Sequence, residues 1–192
     1  MTVPVWAGVD VGGPRKGFHV AAVDEGGVVL APRCLQSVQS ATDLVLSLGP
    51  VVIGIDSPCR PAPPGERSRA CERELVRAVC GIRYTPDAHT IAAGGNYYGW
   101  IRNGLLLYEA LATKCRLAEV FPTASWTRLY GPRGSTPRGA WSRAALASLG
   151  LNDVPTRRLS QDDRDAIGAA WTARLCSKPG AIEWFGDIAV PA

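Results

Sequence analysis

Four carboxylates sit where apolar strands end or a helix begins. Asp10 follows the apolar residues 5–9, Asp56 follows residues 51–55, Glu119 lies in Leu117-Ala118-Glu119-Val120, and Asp165 lies in Asp162-Asp163-Arg164-Asp165-Ala166. An ionised carboxylate at the end of a buried strand is costly unless a cation or a hydrogen-bond donor compensates it. Several of them converging would make a site for Mg²⁺ or Mn²⁺, which take oxygen ligands and usually retain waters. That composition, without a His or Cys cage, is the one expected for phosphoryl transfer. The only histidines are His19 and His89, and neither falls in a Ser-His-Asp or Cys-His arrangement.

Each acid also has a plainer reading. Gly8, Gly12 and Gly13 around Asp10 leave room over the strand end for a phosphate, yet they also suit a hairpin turn. The segment is not a Walker loop, because Gly17 rather than Ser or Thr follows Lys16 and Pro14 interrupts it. Asp56 precedes Ser57-Pro58, so the chain turns away directly after the carboxylate, at the end of a strand where α/β sheets place ligands. Asp162 and Asp165 are three apart and share one helical face, and Ala166, Ala169, Ala170 and Ala173 make that helix narrow enough to lie close on a sheet. Asp163 reads instead as a complement to the helix N-terminus after a Ser160 cap. Glu119 is open between a metal ligand, a base behind the ligands and an ion pair with a nearby arginine.

Elements that would position these acids follow from the apolar pattern. Strands are expected at 5–10, 18–23 and 28–35 as an antiparallel meander, then a short helix capped by Ser40. The unbroken apolar run 51–55 predicts a central strand covered on both faces. A charged helix over 66–79, an irregular ordered loop over 84–100 and a helix over 104–113 precede a strand at 117–121. Helices near 124–129, 141–149 and 161–176 lead to a closing hairpin of 182–185 and 188–190. The order predicts one α/β domain over residues 1–192, with a sheet of mixed direction.

The chain has 192 residues, 46% of them hydrophobic, which suffices for one well-buried core. Its net charge of +4 is carried almost wholly by arginine, since Lys16, Lys114 and Lys178 are the only lysines. Arg69, Arg73 and Arg77 with Arg83 beyond them give one basic face suited to a phosphate backbone, and Arg128, Arg133, Arg138 and Arg143 form another stretch. Cys34, Cys59, Cys71, Cys80, Cys115 and Cys176 have no C-x-x-C pair, as for reduced thiols. With no signal segment and no apolar run of about 20 residues, a cytoplasmic location is expected.

As an ordered set, Gly8-Val9-Asp10, Ile55-Asp56-Ser57-Pro58, Glu119-Val120-Phe121-Pro122 and Asp162-Asp163-Arg164-Asp165-Ala166 resemble the domain of unknown function 429 family. That family is regarded as predicted nucleases of the RNase H-like fold. The resemblance spans almost the whole chain and implies a mixed five-stranded sheet with helices on both faces, with the terminal hairpin as an extra. It implies Asp10 and Asp56 as strand ligands, Asp165 as the helix ligand and Asp162 as an additional acid; in a catalytic set of this kind Asp162 or Glu119 would complete the coordination or position the water. The implied activity is hydrolysis of nucleic acid by a two-metal carboxylate site using Mg²⁺ or Mn²⁺. Two alternatives stand beside it. Asp10-Val11-Gly12 is similar to the nucleotide-binding actin and sugar-kinase lineage, and the acids of a non-catalytic adaptor would serve only as caps and ion pairs.

Overall fold

The structure, a computed structural model, describes residues 3–192. Three strands open the chain, β1 (Trp6–Val11), β2 (Phe18–Val23) and β3 (Val28–Leu35), followed by helix α1 (Val38–Ser47) and strand β4 (Val52–Asp56). Helices α2 (Ala70–Ala78), α3 (Ala88–Ala93) and α4 (Gly99–Leu111) precede β5 (Leu117–Val120). Helices α5 (Pro122–Tyr130), α6 (Arg138–Ser148) and α7 (Gln161–Leu175) lead into β6 (Ile182–Phe185) and β7 (Ile188–Pro191).

All seven strands join one sheet in the order β3-β2-β1-β4-β5-β7-β6. Strand β1 pairs antiparallel with β2 and parallel with β4, and β5 continues the parallel block. The five strands expected from the sequence are therefore present, and the terminal hairpin extends the same sheet through β7 instead of standing apart. Alternation along the strands sorts the core into two layers. Trp6, Val52, Ala118 and Val120 pack with α5, α6 and α7, whereas Ala7, Val9, Ile53 and Ile55 pack with α1 and α4.

The α7 layer is unusually close to the sheet. A side chain at Gly8 would collide with the backbone of Ala166, Ala169 and Ala170, and one at Gly54 with that of Ala169. Small residues on both surfaces let the backbones touch, and the acids at the N-terminal end of α7 are thereby brought to the end of the sheet. Further along α7, Gly168 leaves room for the fully buried ring of Trp126.

Local expectations needed correction in four places. Ser37, not Ser40, caps α1, accepting from the Ser40 N–H. Residues 66–69 lie outside α2, which starts at Ala70 with Arg69 as its cap. The segment 84–100 is largely helical: Asp87 accepts from the Thr90 N–H to start α3, and a short 3₁₀ turn (Gly95–Tyr98) runs into α4. A six-residue helix is too short to display a hydrophobic period, which hid it. Helix α4 consequently begins five residues before its expected start. The six cysteines are free thiols, and no helix among the described residues is long and apolar enough to cross a membrane.

Candidate metal centre

Asp10 and Asp56 are register partners across the parallel pair of β1 and β4. Gly8 and Gly54, two residues earlier on each strand, point towards α7, so period-two alternation aims both aspartates to the same side. Among the described residues neither carboxylate receives a hydrogen bond or an ion pair from a cationic side chain. Burial, with the charges of Asp165 and Asp162 behind it, pushes Asp10 up to about 8, and burial and the Asp10 charge raise Asp56 well above the usual range. The two carboxyl groups hydrogen-bond to each other once one is protonated. Both keep part of their surface open to a cavity of about 710 Å³, through which solvent reaches them.

Asp162 and Asp165 line the same cavity from α7. Asp165 is almost fully buried and well supplied with donors. Trp126 Nε1 donates to its Oδ1 at 3.1 Å, Arg138 Nη2 to its Oδ2 at 2.9 Å, and Gln161 Nε2 to both oxygens at 2.9 and 3.0 Å. The Gln161 oxygen in turn accepts from Arg164 Nη2 and Ser142 Oγ, each at 3.0 Å. Asp162 is paired with Lys16 Nζ at 2.9 Å in a more open position.

Asp163 does what a capping residue does. It completes a capping box with Ser160, pairs with Arg157 at 2.7 Å and contacts His19 at 2.9 Å. Those donors outweigh its burial and hold its carboxyl down at about 2.

Glu119 lines the same cavity but approaches it from the other face of the sheet. It is the register partner of Ile55, so the alternation turns it to the face opposite Asp56. There it forms a bidentate ion pair with Arg69 and accepts from the Cys59 N–H at 2.8 Å. Of the three readings open for Glu119, the ion pair is the one observed. Arg69 corrects a second expectation. It is 4% exposed and held between Glu119 and Glu72, so it lines the cavity as part of a buried ion-pair network and does not share the outward basic face of Arg73 and Arg77. Arg73 and Arg77 do lie outward, with Arg73 paired to Glu66, and Arg83 lines the cavity and lies over the Tyr97 ring at 5.7 Å.

The donor set fits a hard divalent cation. It is all oxygen, and two adjacent carboxylates have no counter-cation of their own. Among the described residues no three acidic, His or Cys side chains stand ready as a ligand cage, and Asp165 and Asp162 are engaged by Arg138 and Lys16. Binding would have to draw them from these partners. Reasoning from sequence alone missed four contributors: Lys16, Trp126, Arg138 and Gln161. Only Gln161 carried a local signal, its i,i+4 spacing to Asp165. The others are brought in by the tertiary fold.

Strand order, the single antiparallel neighbour of β1 within β1–β4, and an acid-bearing last helix across β1 define an α/β protein of RNase H-like fold. The chain is similar to the Thermus thermophilus RuvC structure, at 15% identity and a TM-score of 0.49, with 98% of this chain and 99% of that one covered. No protein-family model matches the chain, and no curated protein does.

Proposed function

We propose that the protein is a divalent-metal-dependent nuclease. The observation that carries this reading is the pair Asp10 and Asp56, side by side without a cation at the floor of a cavity with a basic rim. Mg²⁺ or Mn²⁺ would be held by Asp10 and Asp56, with Asp165 and Asp162 completing the set. A bound ion of this kind lowers the pKa of its water and stabilises a leaving oxygen.

The chain's own residues do the rest. Lys16, Arg83, Arg133 and Arg138 line the cavity and suit phosphate oxygens, and Arg73 and Arg77 extend the positive surface beyond it. Trp126 and Gln161 fix the orientation of Asp165 by donating to it. The wall opposite is set by the Arg69–Glu119 pair, which secures the turn after Asp56 through the Cys59 N–H.

A second reading has its own support. Lys16 and Arg138 already neutralise two of the four acids, as expected of an adaptor whose acids have become ion pairs. The experiment that separates them is cleavage of a panel of single-stranded, duplex, hybrid and branched nucleic acids in Mn²⁺. The nuclease reading expects one member to be cut and Asp10→Asn to lose the activity by several orders of magnitude while staying folded. No cleavage, or equal cleavage by Asp10→Asn, would leave the adaptor.

A further inference from the structure

A second cavity, of about 410 Å³, lies between α6 and the segment that leads into α7. It shares no lining residue with the carboxylate cavity. Leu146 and Leu159 give it an apolar floor, and Arg143, Arg157, Arg158 and Arg164 surround it. No acidic side chain lines it.

The arginines are short of negative charge. Arg157 pairs with Asp163, but among the described residues Arg143, Arg158 and Arg164 have no carboxylate partner within ion-pair distance. Arg164 is the most demanding of them, being 5% exposed. Its guanidinium donates only to neutral oxygens, those of Leu159, Ser142 and Gln161. Asp165 and Asp163 lie near it but make no direct contact, so the buried guanidinium lacks an ion-pair partner, and an anion beside it would offset the cost of its burial. The volume lies at the small end of the range for small-molecule sites, roughly 300–1,000 Å³.

From this combination we infer that the cavity binds a small amphipathic organic anion. Its carboxylate or phosphate group sits among Arg143, Arg158 and Arg164, and its apolar body covers Leu146 and Leu159. A phosphate backbone is the poorer occupant, since it would satisfy the arginines and leave the apolar floor wet. The inference does not depend on the nuclease reading.

The test is calorimetric titration of the full chain with octanoate and with octyl phosphate, using octylamine and 1-octanol as controls. Saturable one-to-one binding of at least one anion is expected, with the amine and the alcohol at least tenfold weaker. Arg143 and Arg158 are exposed and unpaired, so the double variant Arg143→Glu/Arg158→Glu should keep its fold and bind the anion at least tenfold more weakly. Should that variant fold poorly, amide-shift mapping on the parent protein serves instead, with the largest shifts expected within residues 143–164. Absence of saturable anion binding, equal binding of octylamine, or shifts centred elsewhere would overturn the inference. So would an oligonucleotide that binds through these arginines where neither octyl anion does.

Discussion

Asp10 and Asp56 face each other across two parallel strands with no cation to separate them. Most buried acids in this chain are answered by a donor: Asp163 by Arg157, Asp165 by Arg138, Glu119 by Arg69. The Asp10–Asp56 pair is answered only by a proton that the two can share. It is the place where the fold gives up stability.

That arrangement has a definite pH dependence in the metal-free protein. Folded Asp10 titrates at about 8 against 3.8 for an ordinary Asp, so the native state keeps a proton that the unfolded chain releases. The contribution is fully present below about pH 4 and is lost as pH rises through 8. In chelator, Asp56→Asn should raise the melting temperature at pH 8 by about 5 °C, because its amide donates to Asp10 without needing a proton. The gain should shrink towards pH 5. Thermal melts at both pH values check this, and a variant less stable than the parent at pH 8 would contradict it.

Divalent metal should reverse the balance. A cation that binds only the native state adds about 2.7 kcal/mol at a hundredfold excess over its dissociation constant. For a chain of this size that is roughly 5–10 °C. Melting in millimolar Mn²⁺ should show the rise in the parent and little or none in Asp56→Asn.

Gly8→Ala tests the close approach of α7. Its methyl group would land on helix backbone, which cannot rotate away, so a loss of about 3 kcal/mol or more is expected. Urea unfolding measures it. A near-neutral result would mean that α7 stands further from β1 than the structure has it.

Arg69 and Arg83 should behave in opposite ways. Arg69→Ala leaves Glu119 buried without its partner and should cost about 3–5 kcal/mol. Arg83→Ala removes an exposed side chain and should barely change stability, while weakening nucleic-acid binding and its salt dependence. Denaturation and binding measured on both variants would expose any exchange of roles.

Much of the fold was legible because its signals are local. The uniformly apolar run ending at Asp56 reads as a central strand, and the alanines following Asp165 read as a helix surface made for close packing. Glu119 illustrates the limit. Its place on a strand was readable, but which face it takes depends on the register with Ile55, a tertiary fact. Arg69 looked like one member of a basic row, yet it precedes the helix as its cap and turns inward. Arg138 and Lys16 carry no spacing that ties them to α7, so only the folded chain brings them to Asp165 and Asp162.

Gln161 holds opposite charges at the two ends of one amide, its oxygen toward Arg164 and its nitrogen toward Asp165. A half-turn of that group would set N–H against guanidinium and C=O against carboxylate, so only one orientation is electrostatically tolerated. The amide therefore bridges a lining residue of the arginine-lined cavity to one of the aspartate-lined cavity, and its two ends together fix which way it faces.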